Sequence, residues 1–172
     1  MKIEAQDPLA ARFKSALAAF PSGVVVATMR DADGTLAGSA ASSFSSLSLA
    51  PPLVLVCLAR TARSHARFLA ADRFAINILR PEQEPVAMRF ASKAEDKFTG
   101  LDYAEDRRGV PVLAGNAATL VCATENTFPG GDHTILVGRV LEAQSADDTG
   151  GPMVYYRRRF WNLAERAALQ PA

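Results

Sequence analysis

The sequence has few of the residues that build metal sites, disulfides and covalent catalytic centres. Its 172 residues include two cysteines and two histidines. Cys57 and Cys122 lie within the apolar runs LVLVCLA and TLVCAT, which favours reduced core thiols over a disulfide. Together with His65 and His133 they show no metal-ligand spacing, and no serine lies in a G-x-S-x-G motif. We therefore expect neither a metal site nor a nucleophilic triad.

An excess of charge of one sign is also missing. Nineteen Lys and Arg residues against eighteen Asp and Glu residues give a formal net charge of +1. No global field would attract nucleic acid or an anionic membrane, so any anion is bound by a local cluster. The start, MKIEAQDPLAARF, has no apolar signal core, and no stretch approaches the roughly 18 apolar residues of a membrane helix. We expect a soluble cytoplasmic protein without a nucleic acid or membrane partner.

The common glycine-rich nucleotide loops are absent as well. Neither G-x-G-x-x-G after a strand nor G-x-x-x-x-G-K-[ST] occurs in the chain. Any nucleotide is therefore held by another arrangement of residues.

The chain does contain many extended segments, ordered as hairpins. Asp7-Pro8 begins a helix that PSG at 21–23 ends, and the Asp33-Gly34 turn joins two extended runs. Further strands are predicted at Leu53–Ala59, RFAINIL, AATLVCATENTF, HTILVGRVLEAQ and PMVYYRRRFWNL, with helices from Ser64 to about Ala71 and from about Glu82. We interpret Ser92 to Gly115 as a long, partly ordered excursion. Six or more strands in this order favour an antiparallel barrel over a parallel doubly wound sheet.

A serine-rich run follows the first hairpin. Six of the ten residues from Ser39 to Ser48 are serine, a composition that is typical of flexible linkers. Here apolar residues are interleaved with the serines, and Pro51-Pro52 ties the run to the next strand. Small hydroxylated residues let a backbone approach a flat ligand and bind its polar edge. The run therefore predicts contact with a heteroaromatic ring that carries a sugar-like tail.

Basic residues surround the predicted start of the second helix. ARTARSHARF places Arg60, Arg63 and Arg67 around Ser64. Helix amides beside a guanidinium form an anion site, and a solvated basic helix face is the equal alternative. We interpret the adjacent His65 as a lone exposed histidine.

A second basic stretch, RFASKAEDKF, is also a candidate for phosphate contact. It contains Arg89, Phe90, Lys93 and Lys97. Alternating charge of this kind is more typical of a solvated surface.

The stretch GGDHTILVGRV places His133 at the start of a predicted strand. Such a histidine is more often structural, although ligand contact is the alternative. Strand alternation puts His133, Ile135, Val137 and Arg139 on one face.

Five stretches, taken in order, resemble the short-chain flavin reductases of the FMN-binding split-barrel class, which are the reductase partners of two-component flavin monooxygenases. They are FPSGVVVATMRDADGTLAGSAASSFSSLSLAPPLVLVCLA, SHARFLAADRFAINIL, RFASKAEDKFTG, GGDHTILVGRV and PMVYYRRRFWNL. The resemblance runs from about Phe13 to Leu163, and the combination of the serine run, DKF and GDH is its most specific part.

The resemblance implies a single flavin reductase-like domain over residues 1–172, built as a mainly β, six-stranded antiparallel split barrel with peripheral helices. It implies a homodimer with flavin sites near the subunit interface. The implied activity is hydride transfer from NADH or NADPH to FMN or FAD, with the reduced flavin released to a partner oxygenase. A flavin-storage protein without turnover, and an FMN enzyme that acts on a bound organic substrate, are the alternatives.

The resemblance also implies the site residues. Those that would line the ring and its tail are Ala41, Ser42, Ser43 and Ser46, with Cys57, Leu58 and Ala59 at the ring edge. Those that would meet the flavin phosphate are Arg60 and Ser64, with Arg89, Phe90 and Lys97 as weaker candidates. His133 would lie near flavin and nicotinamide, with Tyr155 as a neighbour. Family members often carry threonine or valine and asparagine in place of Ala40, Ala41 and Ser42, which leaves the choice between FMN and FAD open.

Overall fold

The computed structural model describes residues 8–146 and 151–163, which form mostly β-strands with a few short helices. The helices are α1 (Pro8–Leu17), α2 (His65–Ala70) and α3 (Glu84–Ala91), the last preceded by a 3₁₀ turn at Pro81–Gln83. The strands are β1 (Ser22–Gly23), β2 (Val25–Arg30), β3 (Leu36–Ala41), β4 (Ser45–Leu49), β5 (Pro52–Ala59), β6 (Arg73–Ile78), β7 (Tyr103–Glu105), β8 (Pro111–Leu113), β9 (Ala118–Gly130), β10 (His133–Ser145), β11 (Met153–Tyr156) and β12 (Arg159–Asn162).

Seven strands form the main sheet, in the order β3-β2-β6-β9-β10-β5-β4, and every pairing is antiparallel. Side chains alternate between the faces of β5, where Val54, Val56 and Leu58 are buried and their neighbours are more exposed. The predicted antiparallel, mainly β fold with peripheral helices is confirmed. The sheet has seven strands rather than six because part of the serine run pairs with β5 as the edge strand β4.

The core lies in two main clusters of buried side chains. The first is centred on Met29, Phe68, Phe74, Ile76 and Leu136, where α2 covers the sheet. The second lies between the sheet, α3 and the segment that follows α3, and it includes Leu79, Phe90, Phe98, Leu113 and Met153. Strands and helices on both sides of the sheet are therefore held by apolar burial.

Two glycines let aromatic rings pack directly against strands. A Cβ at Gly38 would lie 2.6 Å from Cδ1 of Phe90, and one at Gly138 would lie 2.9 Å from Cβ of Cys122 and overlap the Phe74 ring. Phe90 and Phe74 are each 1% exposed. These rings occupy the space that a larger residue in the strand would fill.

The segment from Ser92 to Gly115 is more ordered than the sequence indicates. It contributes Phe98, Val110 and Leu113 to the core and forms the two-stranded sheet β7-β8. The prediction of a partly ordered excursion was therefore wrong for these residues. Phe98 lies between polar neighbours, and the apolar run from Val110 to Leu113 is too short to show a period, so no periodic pattern marks their burial.

The final predicted strand is in fact a hairpin. β11 and β12 pair antiparallel, and the turn between them is Arg157-Arg158, with φ values of 48° and 63°. Two consecutive residues in the left-handed region are typical of a tight hairpin turn, where Asn-Gly is usual. Three consecutive arginines carry no turn signal, which is why the sequence predicted one strand.

Helix α1 forms where the sequence predicts it, but none of its residues is buried. Leu9, Phe13 and Leu17 are 68%, 59% and 55% exposed, and Phe20 beyond the helix is 73% exposed. The predicted cap Asp7 lies outside the described residues. Among the helices that the structure describes, none is long and apolar enough to cross a membrane.

Candidate functional site

The strands β5 and β10 bring one group of the predicted site residues together. In their antiparallel register His133 lies opposite Ala59, and Ile135 lies opposite Cys57, so these side chains share one face of the sheet. This face is the less buried one, because Thr134 and Leu136 point into the core. Leu58 is 2% exposed on the core face, so only its backbone is available to a ligand.

His133 is oriented by its neighbour in the chain. Its Nδ1 lies 2.8 Å from Oδ1 of Asp132, and this hydrogen bond is the first cause that lowers the pKa of the Asp132 carboxyl. An ionised carboxylate accepts this bond, so Nδ1 carries the proton and Nε2 is left for a ligand. The Arg60 amide donates to the Asp132 carbonyl at 2.9 Å, which fastens the turn to the end of β5. Nε2 has no hydrogen-bond partner within residues 8–146 and 151–163.

A serine of the predicted ring-binding run is attached to the same strand. The Ser43 hydroxyl accepts from the Cys57 amide at 3.1 Å and donates to the Cys57 carbonyl at 3.2 Å. The loop between β3 and β4 is thereby held beside β5. Ser46 lies on β4 opposite Val54 and is exposed.

The two free cysteines have different surroundings. Cys122 is fully buried in the first core cluster, and burial raises the pKa of its thiol to about 12. Cys57 is half-buried on the face that carries His133, so the expectation of two core thiols holds only for Cys122.

A cavity of about 380 Å³, here called the basic cavity, lies between β3, α2 and the segment after α3. Its lining includes Arg63, Ser64, Arg67 and Lys97, and Glu95 supplies the one carboxylate among the described residues that line it. Ser64 is 8% exposed and makes no side-chain cap to the helix that it precedes. Several cations around a buried hydroxyl make this cavity suited to an anion such as a phosphate.

The basic side chains of this cavity are partly engaged by the protein. Arg63 pairs with Glu95 at 2.8 Å, and Arg67 pairs with Asp31 at 2.5 Å. Lys97 donates to the Phe90 carbonyl at 2.8 Å. Burial, and secondarily the nearby Arg63 guanidinium, lowers the pKa of the Lys97 ammonium. Lys97 therefore fastens the segment after α3 while it contributes positive charge to the cavity.

A second cavity, of about 330 Å³, lies at the other end of β3 and is here called the Ala41 cavity. It is lined by Val24, Ala40, Ala41, Ser42, Ala87, Met88, Ala91, Tyr155, Arg158 and Phe160. The predicted residues Ala41, Ser42 and Tyr155 meet here. Gly38 lines the basic cavity and Ala40 lines the Ala41 cavity, so the two cavities are two residues apart on β3, roughly 7 Å of extended chain.

Three of the five residues predicted to meet the flavin phosphate line neither cavity. Arg60 is exposed, and Arg63 and Arg67 take the positions that were expected of it. Arg89 donates to the Thr99 carbonyl at 2.8 Å and is also exposed. Phe90 packs in the second core cluster, because its ring fills the space above Gly38.

His65 is not the exposed residue that the sequence suggested. It is half-buried, and its Nε2 lies 2.9 Å from Oγ1 of Thr134. This hydrogen bond ties α2 to β10, one residue beyond His133. Its role in the structure is therefore to position α2 and the basic residues around it.

The sequence did not single out Met88 or Arg158 as residues that line a cavity. Met88 follows the core residue Ala87 on α3, and its exposure in a helix of mixed composition carries no signal. Arg158 lies in a basic triplet that is typical of a solvated surface. Only the hairpin turn places it against β3 and α3.

Comparison with known proteins connects this arrangement to a described family. Residues 17–164 match the family described as flavin reductase like domain. The chain is 42% identical over 159 residues to the actinorhodin polyketide dimerase of Streptomyces coelicolor. This match covers 92% of this chain and 89% of that protein. It is 40% identical over 160 residues to HsaB, the reductase subunit of a flavin-dependent monooxygenase of Rhodococcus jostii. This match covers 93% of this chain and 80% of HsaB.

A solved structure shares the fold over nearly the whole length. The NADH:FAD oxidoreductase SgcE6 of Streptomyces globisporus C-1027, in complex with NAD and FAD fragments, superposes with a TM-score of 0.84 at 34% identity. The alignment covers 98% of this chain and 99% of that one. Curated relatives at 36–43% identity differ in length, and the chain spans between 48% and 89% of them.

Proposed function

The chain belongs to the flavin reductase-like domain family, and from this premise we propose that it is an NAD(P)H:flavin oxidoreductase. It transfers a hydride from NADH or NADPH to FMN or FAD and supplies reduced flavin to an oxygenase component. The proposal depends on one observation: His133 and Cys57 share a sheet face, the Ser43 loop is hydrogen-bonded to the Cys57 backbone, and a basic cavity lies along β3.

The residues present fit a flavin nucleotide. The buried Ser64 hydroxyl and the guanidinium groups of Arg63 and Arg67 would hold its phosphate in the basic cavity. Ser42, Ser46 and the backbone from Cys57 to Ala59 would contact the ring and its tail. When bound, the flavin supplies the redox chemistry, because its ring accepts the hydride of the nicotinamide.

His133 would orient and stabilise the reacting ligands. Asp132 holds its Nδ1, so the exposed side of the imidazole presents Nε2 to the nicotinamide carboxamide or to the polar edge of the flavin. A protonated imidazole there would also stabilise an anionic reduced ring. Tyr155 belongs to the Ala41 cavity and would contact the ligand from the opposite end of β3.

We also propose a cytoplasmic homodimer. The support for the dimer is the apolar surface of α1, where Leu9, Phe13 and Leu17 are all more than half exposed. Exposed apolar side chains on one helix are characteristic of an interface between protein chains. A second copy of the chain is the partner that the proposal assigns to this surface.

The proposed activity is tested by NADH and NADPH oxidation measured with and without added riboflavin, FMN and FAD. We expect oxidation that depends on the added flavin, and the absence of stimulation by all three would contradict the proposal. Tight stoichiometric FMN with negligible oxidation would instead indicate a storage protein. Flavin that stays with the protein through gel filtration, together with turnover of an organic substrate, would indicate an enzyme with resident FMN.

A further inference from the structure

The turn between β11 and β12 has a sequence that its backbone does not favour. Arg157 and Arg158 have φ values of 48° and 63°, and they are the only described residues other than glycine with positive φ. Residues with a Cβ are disfavoured in this region, and tight turns of this kind usually carry asparagine and glycine. Such an outlier raises the question of what each side chain does outside the turn.

The two arginines differ in their contacts with the rest of the protein. The Arg157 amide donates to the Ala18 carbonyl at 2.9 Å, and its guanidinium carbon lies 5.5 Å from the centre of the Tyr156 ring. Arg158 instead lines the Ala41 cavity, and within residues 8–146 and 151–163 its guanidinium has neither an ion pair nor a hydrogen bond. Contacts within the protein account for the conformation of Arg157, but they do not account for that of Arg158.

The lining of the Ala41 cavity is suited to part of a nucleotide. Its walls are small or apolar, including Ala40, Met88, Tyr155 and Phe160, and they fit a flat ring. Arg158 is the one charged residue among the described residues that line it. Arg158 is exposed, whereas Ala87 on the same lining is buried.

We propose that Arg158 binds a phosphate group of a nucleotide that occupies the Ala41 cavity, and that it sets the preference for that nucleotide. A guanidinium makes two parallel hydrogen bonds to a phosphate and keeps its charge at every physiological pH. The proposal rests on the proposed function, which supplies two sources of the phosphate. One is the second phosphate of FAD, because the basic cavity is assigned the phosphate that FAD shares with FMN, and the other is the nicotinamide dinucleotide.

The test compares Arg158→Gly with the matched control Arg157→Gly. Both variants remove one guanidinium and one unfavourable backbone conformation from the same turn. For Arg158→Gly we expect the KM of the phosphate-bearing ligand to rise about 10-fold, the loss of one charge-assisted contact, with an unchanged or higher Tm. For Arg157→Gly we expect unchanged KM values. Arg158→Lys should recover part of the affinity, because it retains the charge without the planar pair of donors.

FMN and riboflavin separate the two sources, because both lack the second phosphate of FAD. If Arg158 binds the second phosphate of FAD, the KM of FAD rises in Arg158→Gly while those of FMN and riboflavin do not. If it binds the dinucleotide, the KM of NADH or NADPH rises even with riboflavin as the acceptor.

Unchanged KM values for every ligand in Arg158→Gly, or an equal rise in Arg157→Gly, would overturn the inference and leave the proposed function intact. A wild-type protein with no flavin-dependent oxidation would instead contradict the proposed function. Equilibrium titration of the wild type and Arg158→Gly with FAD and with NADH then tests the phosphate contact by itself. Dissociation constants that are the same in the two proteins, for FAD and for NADH, would reject it.

Discussion

At the scale of single residues, the structure assigns His133 and Gly138 on the same strand to different tasks. His133 lies at the exposed start of β10 with Asp132 on its Nδ1, and Gly138 lies in the core against Phe74 and Cys122. The sequence predicted ligand contact for the histidine from its motif. The need for glycine at Gly138 follows only from the ring that packs against it.

We expect His133→Ala to lower kcat/KM for the nicotinamide nucleotide about 10-fold, because a hydrogen bond that orients the ligand is lost. The pKa of Asp132 should rise toward its ordinary value, since the bond from His133 is the first cause of its lowering. A lowered carboxyl pKa stabilises the fold above the unfolded pKa, and that stability is lost as the pH falls through the folded pKa. The variant should therefore lose less stability in acid than the wild type.

Steady-state kinetics and NMR titration of the Asp132 carboxyl measure the two effects. Asn126→Ala, at an exposed position of the adjacent strand β9, is the control and should change neither. Unchanged kinetics in His133→Ala would limit this histidine to a structural role.

Gly138→Ala should destabilise the protein by about 1–3 kcal/mol, because the added methyl overlaps the Phe74 ring. Gly23→Ala is the control, since nothing lies within 4 Å of the position of its Cβ. We expect Gly23→Ala to be neutral or to stabilise by about 0.4–1 kcal/mol through a smaller unfolded-state entropy. Urea unfolding measures both, and equal values for the two variants would contradict the packing argument.

At the scale of elements, one buried amide joins the main sheet to the segment after α3. Asn77 on β6 is 0% exposed, and its Nδ2 donates to the Val26 carbonyl and to Oγ1 of Thr28, both at 2.9 Å. Its Oδ1 accepts from the Leu113 amide and from Nδ2 of Asn116, also at 2.9 Å. All four hydrogen-bonding positions of the amide are occupied. The segment that forms one wall of the basic cavity is thus fixed to the sheet.

Asn77→Ala should lower the free energy of unfolding by about 2–4 kcal/mol, because it leaves buried donors and acceptors without partners. Hydrogen exchange should show the largest loss of protection at Leu113, whose amide donates to the removed oxygen. Asn126→Ala again serves as the control, since its side chain is exposed. A loss of stability no larger than that of the control would reject this role for Asn77.

At the scale of the whole molecule, α1 is a helix that contributes no buried residue to the protomer. Phe13 and Leu17 are four residues apart and lie on one side of the helix, and both are more than half exposed. The Ala18 carbonyl just beyond α1 accepts the Arg157 amide, so the apolar surface is held beside the β11-β12 hairpin. A dimer formed through α1 would therefore be coupled to the turn that carries Arg158.

The double variant Phe13→Glu, Leu17→Glu should convert the proposed dimer to a monomer in sedimentation velocity. Its far-UV circular dichroism should be unchanged, because neither side chain is buried in the protomer. Lys14→Glu, between the two positions on the same helix, is the control for added negative charge and should remain a dimer. A wild-type monomer, or a double variant that sediments as a dimer, would contradict the assignment of α1 to the interface.

The sequence alone determined the antiparallel β class, the hairpin across Asp33-Gly34, and the resemblance that selected His133 and the serine run. These features depend on local alternation, turn chemistry and short motifs, which are written in neighbouring residues. Only the tertiary structure decided that Ser43 is bonded to Cys57, that Phe98 is buried, and that Arg158 lines a cavity beside β3. Those outcomes depend on register and on contacts between residues far apart in the chain, which local periodicity does not encode.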